Sequence, residues 1–180
     1  MFFAPKQVLT RYYWSPQKRK EFWSAILVSK SQKHFGALLS NIKLNEHLSL
    51  PIEISEIDDH NIIVPKLEEM DGTQLYHLLR LYEISPFSGI TKLKERSLLI
   101  HCLDKKLISE NNNTIDSMDE SEVITQLYIR RIMFTSDEDI NILRERLKTW
   151  VKYSGQFYEN GNEGLLLYVP VITQGIRNTL

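Results

Sequence analysis

Side chains able to do chemistry are few and scattered in this chain of 180 residues. Its five histidines (34, 47, 60, 77 and 101) fall in separate segments. The single cysteine, Cys102, lies in an apolar run beside His101, where an inert core thiol is the expected state. Asp58, Asp59 and His60 have metal-ligand chemistry, but no second His, Cys or Asp group stands at ligand spacing. Asp137–Glu138–Asp139 is acidic enough for Ca²⁺, yet it lacks the central glycine and terminal glutamate of a calcium loop. Acids just before a helix are favoured by its dipole alone. The sequence holds no G-x-S-x-G, no Gly-rich phosphate loop and no H-E-x-x-H. The expectation is a chain without enzymatic activity, metal, cofactor or small-molecule substrate.

Anion recognition is the chemistry that remains. Lys18, Arg19 and Lys20 follow a helix start, where a cation opposes the dipole by roughly 0.3–1 kcal/mol. Stability alone would not select them. A second basic group comprises Arg130, Arg131, Arg144, Arg146 and Lys148, and Arg11 stands near the N-terminus. Residues 1–50 hold eight Lys/Arg against two Asp/Glu, and residues 51–122 hold seven against fifteen, within a net charge of −1. That asymmetry fits either an anionic partner at the basic third or neutralisation inside one fold.

The elements that must position these groups read as helices. Hydrophobic content of 42% with only 7 Gly and 6 Pro fits one helical domain, residues 1–180, better than a many-stranded sandwich. The lone cysteine excludes an internal disulfide framework and fits a reducing compartment. No run of 18 apolar residues exists, so no segment here is long enough to span a bilayer. Ser15–Pro16 is a helix start, and the helix behind it is expected to bury Phe22, Trp23, Ile26 and Leu27. A second helical segment is expected from Ser31, with Phe35, Leu38, Leu39 and Ile42 inward, and then a loop from Asn41 to Pro65. Asp71–Gly72 opens a helix with Leu75, Leu78, Leu79 and Tyr82 on one stripe, ended by the turn Ser85–Gly89. Thr91 is expected to cap the next helix, apolar at Leu93, Leu99, Ile100, Leu103 and Leu107, followed by a polar loop at 111–114.

The stretch from Asp116 to Tyr153 is the most regular. Asp119 with Glu122 makes a capping box before Val123, Ile124, Leu127 and Tyr128. A polar turn then leads to a helix with Ile140, Leu143, Leu147, Trp150 and Val151 inward. Gly155 and Asn160–Gly161–Asn162 mark a loop, and residues 165–172 form an apolar helix closing the bundle, with Pro170 bending it; a strand is the alternative. The aromatics of residues 1–14 suit either a membrane–water boundary or the plugged end of a bundle.

Asp119, Glu122, Val123, Leu127, Arg130–Arg131, Leu143, Leu147, Trp150 and Val151 resemble the ribosome-binding domain of the LETM (leucine-zipper, EF-hand transmembrane) family. That pattern is a capped helix ending in Arg-Gly, a turn, and a helix ending in Leu-x-x-Trp-Leu. Upstream, Thr73–Gln74–Leu75 through Pro86–Gly89 and Leu93–Lys94–Glu95–Arg96 are similar to the preceding helices. Pro5–Lys6–Gln7–Val8–Leu9, Arg11, Trp14–Ser15–Pro16 and Phe22 resemble the short EF-hand-free branch of LETM-domain-containing proteins. Arg131 replaces the family's glycine, which implies a differently built turn, and the turn before the last long helix differs by one residue in length.

The resemblance implies an all-α, 14-3-3-like helical bundle in the mitochondrial matrix. It also implies anchorage to the inner membrane by a transmembrane helix upstream of this chain, with residues 1–14 as a juxtamembrane collar. The implied role is non-enzymatic: binding mitochondrial ribosomes and supporting inner-membrane organisation and cation homeostasis. Arg11, Lys18, Arg19, Lys20, Arg130, Arg131, Arg144, Arg146 and Lys148 are then the candidate contacts with an anionic ribosome. The competing reading is a nucleic-acid module, because the basic helical hairpin also resembles SAP-like DNA-binding hairpins. Transport by these residues alone is rejected, since they offer no path across a membrane.

Overall fold

The Ser15 hydroxyl accepts from the Lys18 amide at 3.2 Å, and Pro16 takes a first-turn position where an amide has no helical partner. So begins α1, Pro16–Leu39. The computed structural model describes residues 14–45, 47–57, 62–110, 113–159 and 163–175. Among these the fold is an all-α bundle of seven helices with one two-residue ladder. α1 is continuous, without the expected break at Ser31; that serine is buried in mid-helix. Leu27, Phe35, Leu38 and Leu39 are inward as expected, while Phe22, Trp23 and Ile26 are only half-buried.

The segment after α1 is more ordered than a loop. Strand β1 (Lys43–Leu44) pairs antiparallel with β2 (Ile62–Ile63), and short 3₁₀ turns form at Ile54–Glu56 and Leu67–Glu69. Ile52, Ile54, Ile57, Ile62, Val64 and Leu67 are buried, and the Ile52 amide donates to the Ile172 carbonyl at 3.2 Å. Apolar side chains at these spacings fasten the segment to the core without needing regular structure.

The remaining helices are α2 (Gly72–Leu81), α3 (Gly89–Ser109), α4 (Asn113–Ser117), α5 (Glu120–Ile129), α6 (Ile140–Glu159) and α7 (Glu163–Gln174). α4 occupies part of the expected polar loop, and α6 runs through Gly155. α3 buries Leu93, Ser97, Ile100, His101, Asp104 and Leu107, a stripe with helical spacing. Leu99 and Cys102 fall on its other side and are exposed, which corrects both as core positions.

α2 and α5 are two versions of one device. Each is ten residues long and starts with a reciprocal capping box, Asp71 with Gln74 and Asp119 with Glu122. Each ends in a Schellman motif: Ile84 and Ile132 donate to the Leu79 and Leu127 carbonyls, and Glu83 and Arg131 donate to those of Arg80 and Tyr128. Each leads into a long helix, α3 or α6. α1 packs on both short helices, α3 and α6 pack on each other, and α7 contacts α1, α3 and α6. Every residue from Gly164 to Ile172 is buried, so α7, with Pro170 inside it, is helical and central rather than a strand. Its exit is tight: a Cβ on Gly175 would lie 2.7 Å from Leu39 Cδ1.

Candidate partner-binding surface

α5 ends where α3, α2 and α6 converge, and its two arginines are used there. Arg130 is fully buried. Its Nε and Nη2 donate to Asp104 Oδ1 at 2.8 and 2.5 Å, and its Nη1 donates to the Gln126 carbonyl and side-chain oxygen at 2.8 and 2.6 Å. Trp150 Nε1 donates to the other Asp104 oxygen at 3.0 Å. A carboxylate and a guanidinium taken out of water together, with their remaining polar atoms satisfied, hold α3, α5 and α6 in one register. The expectation of Arg130 as a surface contact is corrected.

Arg131 is also inside. It has φ +61°, the left-handed conformation that glycine serves best, although the residue is an arginine. Its guanidinium carbon lies 4.6 Å from the Tyr128 ring centre and 5.7 Å from that of Tyr82, and Nη2 donates to Glu83 Oε2 at 3.0 Å. Cation–π attraction and the ion pair offset the backbone strain. Glu83 stands at the equivalent position after α2, with φ +58°. Burial opposes its ionisation, but the Tyr128 hydroxyl, donating at 2.7 Å, and Arg131 outweigh that and hold its carboxyl below the ordinary range. The left-handed residues of the two Schellman turns therefore pair with each other.

The other basic candidates divide. Lys20 is buried and bridges α1 to α5, donating to Glu120 at 3.0 Å and to the Glu138 carbonyl, so it too is withdrawn as a surface contact. Arg144 donates to the Met118 carbonyl at 2.6 Å. Arg146 binds Glu138 and the Met133 carbonyl. Lys148 sits between Asp116 and Glu145, each at 2.8 Å, and these carboxylates raise it above its ordinary value. The acids beside the hairpin that read as caps are thus also its counter-ions; Asp139 additionally accepts from the Asn141 amide at 2.8 Å. Lys18 is exposed and Arg19 half-buried, so on α1 these two of the expected residues face solvent at least in part. Arg11, the aromatics before Trp14, and the Asp58–Asp59–His60 group lie outside the described residues.

A concave feature and a histidine pair lie near this region. A cleft of about 810 Å³ runs between α1, α6 and the segments around Ile52 and Phe134, with exposed Val28 and Ile142 among its lining residues. At the α1–α2 contact, His34 and His77 face each other with Nδ1 atoms 3.0 Å apart. Burial, then the charges of His77, Lys30, Lys33 and Arg80, lower His34 to about 4, so the His34 ring is neutral near pH 7.

No protein-family model, no curated protein and no solved structure matches this chain. Among the described residues no three His, Cys, Asp or Glu side chains gather as metal ligands, and no helix is long and apolar enough to cross a membrane. The sequence reading missed Asp104, the partner that fixes Arg130, and the group Lys30, Lys33 and Arg80. The spacing Lys30–Lys33–His34 in α1 and His77–Arg80 in α2 was the available signal, since i, i+3 and i+4 share a helix face.

Proposed function

We propose that this chain is the matrix-facing, ribosome-binding domain of a LETM-like protein of the mitochondrial inner membrane. It acts as a non-enzymatic tether and also supports inner-membrane organisation and cation homeostasis. The observation that carries this reading is the backbone at Arg131. The family pattern puts glycine at that position, and the chain adopts glycine's left-handed conformation there although the side chain is arginine. The buried faces of Val123, Leu127, Leu143, Leu147, Trp150 and Val151 support it as well, because the family's motif residues then fall on the core side. A SAP-like module loses its support, since the basic residues of the hairpin are buried or engaged by carboxylates and carbonyls.

On this reading Lys18 and Arg19 are the ribosome contacts on α1. The test is co-sedimentation with purified mitochondrial ribosomes at moderate salt. Lys18→Glu with Arg19→Glu is expected to lower the pelleted fraction while the circular dichroism spectrum stays that of the wild type. Undiminished pelleting by the double variant would remove these two residues from the interface.

A further inference from the structure

Arg130, Arg146 and Lys148 of the central hairpin each meet a carboxylate, whereas Lys33, Arg80 and Arg96 at the junction of α1, α2 and α3 meet none among the described residues. Lys30, Lys33 and His34 share one face of α1, and His77 and Arg80 share the facing side of α2. Lys33 is exposed and Arg80 half-buried, and neither makes a hydrogen bond or ion pair among the described residues. Lys30 reaches only Glu83, at 3.8 Å. Arg96 of α3 is half-buried beside Glu83 and Arg131, again without an ion pair, and burial together with Arg131 lowers it from its ordinary value. Arg131 itself has Nε and Nη1 buried without acceptors. Among the described residues Glu83 is the single carboxylate paired with Lys30, Arg96 or Arg131, and Arg131 and the Tyr128 hydroxyl already occupy one of its oxygens.

This excess of positive charge stands out in a protein whose net charge is −1. Like charges brought together by folding destabilise the fold unless an anion shields them. An aromatic ring borders the cluster: Tyr76 is 43% exposed and meets His77 edge to face, with ring centres 5.3 Å apart. Cations in a row with an accessible ring beside them suit a strand of phosphates whose bases can stack.

We propose that the α1–α2 face bearing Lys30, Lys33 and Arg80, with Arg96 behind it and Tyr76 at its edge, binds the phosphodiester backbone of single-stranded RNA. Lys33 and Arg80 contact phosphates, and Tyr76 stacks on a base. The inference rests on the ribosome reading for its setting and names the ribosomal component that the domain touches. It adds to Lys18 and Arg19 a second anionic contact, further along α1 and shared with α2.

The probe is a fluorescein-labelled oligouridylate titrated with the full chain, by anisotropy, over a range of salt. Wild type is expected to bind, and Lys33→Glu with Arg80→Glu to bind at least tenfold more weakly at moderate salt. Replacing both residues by Gln should make the slope of log K against log salt shallower by about 1.4, at about 0.7 per single-strand phosphate contact. Tyr76→Ala is expected to weaken binding about tenfold, with the salt slope unchanged. Lys33→Glu alone, at an exposed site, guards against a fold defect from Arg80. Equal affinity of wild type and double variant would overturn the proposal. So would binding to vesicles of anionic phospholipid without binding to the oligouridylate. Oligouridylate binding lost in the double variant, in a domain that never pellets with ribosomes, would uphold this site and refute the ribosome reading alone.

Discussion

Asp104→Asn is the sharpest perturbation of the hairpin, because it removes one charge and almost no volume. In the native state that carboxylate accepts from Arg130 Nε and Nη2 and from Trp150 Nε1, and all three side chains are buried. An amide in its place can accept from only one side, and its NH₂ faces a donor on the other. Arg130 keeps its contacts to Gln126 but loses its counter-charge. Stranding a buried charge in this way costs about 3–5 kcal/mol. Against a total stability of roughly 5–15 kcal/mol, that is a large share. At roughly 2–4 °C per kcal/mol for a domain of this size, the midpoint should fall by about 6–20 °C. Urea unfolding followed by far-UV circular dichroism measures the loss directly. Asp104→Leu with Arg130→Met should recover most of it, since apolar replacement of both partners of a buried pair is near neutral. A loss under about 1 kcal/mol for Asp104→Asn would mean that Arg130 is solvated, and would return it to the candidate contacts.

Three further outcomes follow from the geometry. Arg131→Gly should be more stable than Arg131→Ala by about 1 kcal/mol in chemical denaturation, because both lose the Glu83 pair and only glycine relieves φ +61°; the reverse order would contradict the left-handed turn. His34 sits near 4 when folded and 6.5 when not, so the unfolded chain binds more protons between those values. Its contribution is complete above pH 6.5 and is lost as pH falls toward 4, amounting to about 3 kcal/mol at 1.36 kcal/mol per pH unit. His34→Gln should flatten that part of the stability–pH curve. Cys102 is exposed, so a thiol reagent should titrate it in the native protein as completely as in urea; protection until unfolding would contradict the placement of that side of α3.

Local signals in the sequence carried most of the fold. Ser15–Pro16 and the two capping boxes act within four residues, and the stripes through Leu143, Leu147 and Trp150 follow one helix period, so each is visible without its neighbours. The buried cations were not visible. Their partners lie far along the chain: Asp104 is 26 residues from Arg130, Glu83 is 48 from Arg131, and Glu120 is 100 from Lys20. Sequence position alone cannot separate an arginine that finds such a partner from one that faces water. The matching of α2 with α5 was equally hidden, because it is completed by left-handed turns at residues of unlike type. Glu83 and Arg131 occupy the same structural position with opposite charge. The candidate surface consequently shifted from the hairpin to α1, where Lys18, Arg19, Lys30 and Lys33 lack strong internal partners.

The central claim is that this domain recognises mitochondrial ribosomes. Sedimentation of the wild-type chain with intact mitochondrial ribosomes through a sucrose cushion, across a salt series, measures it most directly. The account predicts saturable pelleting at low salt that falls steadily as salt rises, since the contacts are cation to phosphate. A domain that is folded by circular dichroism yet stays in the supernatant at the lowest salt would contradict it.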